Sequence, residues 1–282
     1  MKRMRGSTRW SIAAVAALVV VAAFSGVLGS ARGAQAGNVV TEWNEVAVMT
    51  LVALPGPAGG APPGAQINMG MVQGAVYDAV NATEPKHHRP YLLKRRFGAT
   101  ASKDAAVSTA AYEVLASVVS AVPPGIPFPT RGAVLESLAT RYADALGAIP
   151  DSPFKSQGIT AGQAAAEAMI SAREGDGRFR ASQWVPNSAP GHWQPLVNPA
   201  TGQPILDPTP WAGGVTPFLL ESSSQFRTPG PNALASPQWA AEFNEVKALG
   251  AANSSVRTPQ QTYIARWWQS TSVRAGTKWP AI

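Results

Sequence analysis

From residue 39 onward, apolar positions recur at helical rather than strand spacing. The clearest run is 67–84, INMGMVQGAVYDAVNATE, stopped by Pro85. On a helix, Met69, Val72, Val76 and Val80 form one apolar stripe. Gly70, Gly74, Tyr77 and Asn81 form a second stripe, and Ala75, Ala79 and Ala82 fill the back. Asp78, Gln73 and Glu84 are the main polar interruptions. Glycine inside a helix costs about 1 kcal/mol against alanine, so the pair at i, i+4 points to close approach by a neighbour. A helix apolar or small nearly all round belongs inside a protein. The pattern predicts a central helix of an all-α domain.

Further helices follow the same logic. Residues 39–54 carry Trp43, Val46, Ala47 and Leu51 on one face, and the glycine- and proline-rich 55–65 predicts a loop. The segment 102–122 places Val107, Ala111, Val114, Leu115 and Val118 together. After Pro123-Pro124, Thr130 is placed to cap a helix to Leu146 with Val134, Leu138, Tyr142 and Ala145. Ser152-Pro153 reads as a cap with proline at the first helical position. It opens a helix to Ala172 with small residues at Ala161, Ala165, Ala168 and Ala172.

Regular structure is expected to lapse over 178–235, because ten prolines fall between Pro186 and Pro231. Trp184, Trp193, Trp211, Phe218 and Phe226 are spread through the same stretch, which predicts an ordered arm with aromatic anchors laid over the helices rather than a disordered linker. Ser236-Pro237 opens another helix, with Trp239, Phe243 and Val246 inward and Gly250 as its terminator. Thr258-Pro259-Gln260-Gln261 is a capping box, and the helix it opens carries Ile264, Trp267 and Trp268.

Composition changes this picture in three ways. Only 14% of residues are charged, against about 25% in an average globular protein, which fits tight packing of small residues. The net charge of +7 is concentrated at the N-terminus: Lys2, Arg3, Arg5, Arg9 and Arg32 precede residue 37, leaving 18 basic residues against 16 acidic. That balance excludes a nucleic-acid footprint. Lys2, Arg3, Arg5 and Arg9, the apolar run 12–28 and Ala34-Gln35-Ala36 read as a secretory signal, expected to be cleaved before Gly37; the competing reading is an uncleaved membrane anchor, which the small-residue cleavage site disfavours. No adjacent arginine pair precedes the apolar run, so general secretion is expected, with no membrane partner after processing. The absence of cysteine excludes disulfides, thiolate metal sites and cysteine nucleophiles. The organisation expected is a signal over 1–36, a helical bundle over 37–177, the arm over 178–235 and two further helices over 236–282.

Candidate chemistry is sparse. Lys86-His87-His88-Arg89-Pro90 and Lys94-Arg95-Arg96 form the most basic stretch, but no carboxylate stands at ligand spacing. A solvated loop is the expectation there. His192 has no carboxylate or serine partner at a recognisable spacing. Glu42, Glu45, Asp78 and Glu84 lie on helices that could pack together as a paired-carboxylate site, although the Glu-x-x-His pattern of a metal bundle is absent. Asp78 lies on the buried helix and therefore needs a hydrogen-bonding or cationic partner, expected to be structural. No nucleophile elbow, phosphate loop or dinucleotide fingerprint occurs.

Several segments carry a family resemblance, in order along the chain. They are Trp43-Asn44, GAVYDAVNATEP followed by PYLL, SKDAAVSTAAYEVLASVVSAV and KSQGITAGQAAAEAMISAREGDG. PGHW and PFLLESSSQFRTPGP follow, and then FNEVKALGAANSSVRTPQQTYIARWW. Together they resemble the N-terminal half of bacterial secreted vanadium-dependent haloperoxidases, relatives of the type 2 phosphatidic acid phosphatases, over about 38–270. The resemblance implies an all-α bundle of that type with a long proline-rich arm. In the family, a histidine, a lysine, two arginines, a serine and a glycine amide hold vanadate or phosphate, in blocks that include Arg-Pro, Pro-Ser-Gly-His and a late histidine with aspartate four residues on. None of these blocks occurs here; Lys86 with Arg89-Pro90 has the wrong gap and comes too early, and none of His87, His88 or His192 has the aspartate. The chain is therefore expected to hold no catalytic residue, cofactor ligand or metal ligand, and to be a truncated, inactive N-terminal portion whose coding sequence continues. With Trp267, Trp268 and Trp279 in need of cover, self-association or a missing C-terminal half is expected. The other reading is a self-contained secreted helical binding module.

Overall fold

The structure, a computed structural model, describes residues 38–60, 62–84, 88–182, 185–207 and 209–268. The signal over 1–36, Lys86, His87, Trp184 and Trp279 lie outside the described residues. Among the described residues there are seven α-helices and almost no sheet. The chain divides into two compact units, one reaching Pro55 and resuming over Asn68–Ser171, the other formed by Gly56–Ile67 and Ala172–Ile282.

The first unit is a helical bundle. It holds α1 (Val39–Ala53), α2 (Gly64–Thr83) from Asn68 onward, α3 (Lys103–Ser120), α4 (Arg131–Gly147) and nearly all of α5 (Pro153–Ala172). Side-chain caps start three of them: Asn38 Oδ1 accepts from Val40 N at 2.9 Å, Ser102 Oγ from Ala105 N at 3.3 Å and Ser152 Oγ from Lys155 N at 3.2 Å. Thr130 occupies the N-cap position of α4 but makes no side-chain cap bond, contrary to expectation. α2 begins three residues before the expected start, because Pro63 O already accepts from Ile67 N at 3.1 Å.

α2 is largely enclosed, as expected, with Asn68, Met71, Val72, Ala75, Val76, Asp78, Ala79, Asn81, Ala82 and Thr83 buried, and α3 is enclosed to a similar degree. Every residue from Ala105 to Ala111 is buried, as are Val114, Leu115, Val118 and Val119. Alanine and small polar residues let α1, α4 and α5 approach α3 closely. Gly162 of α5 lies so near α3 that a Cβ there would collide with Ala106 O and stand 2.6 Å from Thr109 Cβ. Two polar pairs tie α3 to its neighbours: Trp43 Nε1 donates to Ser108 Oγ at 2.9 Å, and Thr109 Oγ1 bonds Tyr142 Oη at 3.0 Å. On α2 the alanine side that was expected to be the back is the buried one. Ala75, Ala79 and Ala82 are inside with Val72 and Val76, while Met69 and Val80 are half-buried and Tyr77 is exposed. On α5, Ala161 and Ala165 are buried as expected, but Ala168 is half-buried and Ala172 exposed; Gly158, Gly162, Ala166 and Met169 complete the inner face.

In the second unit regular structure is short. A two-stranded hairpin pairs β1 (Leu196–Val197) with β2 (Pro204–Ile205) through a turn in which Gly202 N donates to Asn198 O. A 3₁₀ turn covers Pro210–Gly214, and α6 (Pro237–Gly250) and α7 (Pro259–Trp268) follow. The caps of both helices form as the sequence indicates. Ser236 Oγ accepts from Trp239 N at 3.1 Å, and Thr258 and Gln261 bond each other's backbone N–H at 2.9 and 3.2 Å.

The expected burial does not follow. No residue of α6 or α7 is buried; Phe243, Val246, Ile264 and Trp268 are exposed, and Trp239 and Trp267 are half-covered. The arm's anchors are likewise fewer than expected, since Trp193 and Phe226 are exposed and only Trp211 and Phe218 are half-buried. Among the described residues of this unit no second layer of elements covers these apolar side chains, and helix caps cannot supply one.

Candidate functional site

Two polar constellations are built into the interior, and each ties backbone together. The first lies on α2. Asp78 is buried, and its carboxylate accepts from three consecutive amides, Tyr91 N at 2.7 Å, Leu92 N at 2.7 Å and Leu93 N at 2.8 Å. One turn along, Asn81 accepts from His88 N at 2.8 Å and donates to His88 O at 3.0 Å. Tyr77 Oη donates to Arg89 O at 2.9 Å, and Phe97 N donates to Ala82 O at 2.9 Å. The helix thus grips the following loop at residues 88, 89, 91–93 and 97. Three charge-assisted bonds also remove the penalty of a buried carboxylate, which would be several kcal/mol if left alone. The structural partner expected for Asp78 is this loop. The motif residues Tyr77, Asp78 and Asn81, with the downstream PYLL, form a clamp.

The second constellation, in the second unit, was not foreseen. Arg173 and Asp176 are both almost fully buried, with Arg173 Nη2 2.6 Å from Asp176 Oδ2. Arg178 Nε pairs with the same carboxylate at 2.9 Å. Arg173 Nη1 also donates to Thr216 O at 2.7 Å, Thr216 N donates to Asp176 O at 2.8 Å, and the guanidinium lies 4.2 Å from the centre of the Phe218 ring. Residues 173–178 are thereby pinned to 216–218 across some forty intervening positions. Gly177, at φ +94°, admits Gly214 O to a distance no side chain would allow. Beside it Phe179 sits at φ 58°, held by Trp211 at 5.0 Å between ring centres. The only sequence signal was a dense charge run, Arg173-Glu174-Gly175-Asp176-Gly177-Arg178, in a chain otherwise poor in charge.

The other candidates do not converge. Glu42 and Glu45 are exposed, and Glu84 pairs with Lys103 at 2.7 Å, which raises the Lys103 pKa through that hydrogen bond. With Asp78 committed to the loop, the paired-carboxylate arrangement does not form. Among the described residues no three histidine or acidic side chains are grouped to hold a metal. His192 is exposed, with Nε2 3.2 Å from the Asn187 amide. His88, Arg89, Lys94, Arg95 and Arg96 are all exposed on the clamped loop, as expected of a solvated segment.

Among the described residues, the basic side chains of the loop after α2 and Arg173 are not gathered as a vanadate or phosphate centre would need. Such an oxyanion needs several fixed donors aimed at one point. Arg95 instead stacks on Phe97 at 4.6 Å and Arg96 reaches back towards Glu84 O, while the buried guanidinium of Arg173 is occupied by Asp176, Thr216 and Phe218. Comparison with protein-family models, curated proteins and solved structures finds no match. No helix among the described residues is long and apolar enough to cross a membrane.

Proposed function

We propose that this chain is the N-terminal helical portion of a secreted protein of the vanadium-dependent haloperoxidase and type 2 phosphatidic acid phosphatase kind, a scaffold without catalysis of its own. The observation that carries the reading is the uncovered apolar surface of the second unit. Leu219, Phe226, Phe243, Val246 and Trp268 each keep more than half of their surface exposed. These are the side chains that a covering surface would bury. In this reading further polypeptide covers it and brings the histidine, lysine, arginines and serine that hold the oxyanion, in sequence blocks that do not occur in these 282 residues. The clamp on α2 is compatible with the reading, because GAVYDAVNATEP and PYLL, which share in the resemblance, have an architectural role that needs no catalytic half.

The test is twofold. The coding DNA downstream of Ile282, read in every frame, should encode an Arg-Pro block, Pro-Ser-Gly-His and a late histidine with aspartate four residues on. Calorimetry on the secreted chain should detect no vanadate binding at micromolar concentration. Saturable binding lost on replacing Lys94, Arg95 and Arg96 would show a site within this chain. Absence of the downstream blocks, together with a soluble and cooperatively folding monomer, would favour the self-contained binding module instead.

A further inference from the structure

α7 is firmly held at its start, yet none of its residues is buried. The Thr258–Gln261 box fixes its first turn. Arg257 ties that turn to the end of α6, donating to Leu249 O at 2.6 Å, Ala251 O at 3.1 Å and Thr262 Oγ1 at 3.1 Å. Gln260, Ile264 and Trp268 follow one another at four-residue spacing and so line one ridge of the helix, with Tyr263 beside it. Tyr263, Ile264 and Trp268 keep 64%, 46% and 70% of their surface exposed. Arg266, the only charged residue of the helix, stands two positions from both Ile264 and Trp268 and therefore on the far side. We propose that this ridge is a homodimer interface, on which the α7 of a second copy lies antiparallel with Ile264 against Ile264. The inference rests on the reading above that the apolar surface of the second unit is uncovered in the 282-residue chain, and it names what meets α7 there.

Three features select a second copy as the occupant. The ridge is self-complementary: turned antiparallel about Ile264, it sets Gln260 opposite Trp268 at both ends, an amide oxygen for an indole N–H, with an aliphatic pair between them. Two such faces together remove on the order of 1,000 Å² from water, the area at which specific contacts between proteins begin. Tyrosine and tryptophan are the side chains that most often carry such contacts. The antiparallel arrangement also opposes the two helix dipoles and keeps Arg266 of each copy out of the contact. A partner recognised by charge finds no ion on this ridge.

Sedimentation of the secreted chain tests this. A reversible dimer should form with a Kd on the order of 10 µM, as suits a contact at the small end of the range. Salt at about 0.5 M should leave it intact, because no ion pair holds it. Ile264→Asp brings two carboxylates face to face and should weaken the dimer at least about 100-fold, whereas Phe243→Ser/Val246→Ser on α6 should not. The chain has no cysteine, so Ile264→Cys gives one thiol per copy. Mild oxidation should link that variant to itself and leave Val246→Cys unlinked. The cross-link stands even if Ile264→Asp disturbs folding. A monomer at every concentration, open-ended aggregation, loss of the dimer on the α6 substitutions alone, or equal linking of the two cysteine variants would overturn the proposal. A monomer whose downstream DNA encodes the expected blocks would overturn this pairing and leave the proposed function standing.

Discussion

Leu115 on α3 and Val246 on α6 are both branched aliphatic residues on helices whose first turn is capped by a serine. Leu115 has no exposed surface, and Val246 keeps 71% of its own. The same contrast runs through the two units. Among large apolar residues the first unit leaves Tyr77 and Phe154 exposed, whereas the second exposes aliphatic and aromatic side chains along the arm, the hairpin and both helices. Local signals specify a helix equally well in either place. What differs is the number of other elements available to pack on it. α3 is flanked by α1, α4 and α5, whose alanines and glycines admit it. Among the described residues nothing plays that part for α6 and α7, whose inward-looking faces find no inside.

The comparison can be broken or sharpened by substitution and pH. Asp78→Ala should have the largest effect. It strands three part-buried amides, which water can reach in part, so a total of about 3 kcal/mol is expected. Denaturation monitored by hydrogen exchange should show it, with the amides of 91–93 losing protection first. Asp78→Asn keeps one acceptor oxygen and should cost about half as much. An unchanged exchange pattern would mean the clamp does not hold the loop. Leu115→Ala follows, at about 3 kcal/mol, because a fully buried leucine leaves a cavity the close-packed bundle cannot close.

Tyr142 gives a smaller, pH-dependent effect. Burial pushes its phenol above the ordinary value of 10.0, partly opposed by the Thr109 hydrogen bond. The folded state therefore holds this proton more tightly than the unfolded chain. Its contribution is fully present below about pH 10 and is lost as pH rises through the elevated value. An ultraviolet titration should show one late tyrosine, and Tyr142→Phe should remove that step. Val246→Ala comes last, with less than ~0.5 kcal/mol expected in the same exchange experiment. A loss comparable to that of Leu115→Ala would show that α6 is covered in solution, and the contrast between the units would collapse.

Much of the candidate site could be read in part. That Asp78, on a small-residue helix, had to find a partner followed from the cost of burying a carboxylate. Which partner it found did not, because the amides of 91–93 are thirteen to fifteen residues away, beyond Pro85 and Pro90. Arg173 was harder still: its ion pair with Asp176 is local, but the carbonyl it donates to lies 43 positions along. No periodicity extends across a gap of that kind.

The sequence by itself determined the helices and their starts, because periodicity and caps act within one or two turns. Ser102, Ser152, Ser236 and the Thr258–Gln261 box each begin a helix where their side chains reach the free amides of the first turn. It also determined that 178–235 would be irregular, since proline removes donors wherever it stands. Only the tertiary structure decided that α3 is enclosed as fully as α2, that α2 turns its alanines inward, and that Phe243 and Val246 stay in water. Amphipathicity states which face of a helix is apolar. Whether that face is buried depends on the presence, elsewhere in the chain or outside it, of another surface to meet it.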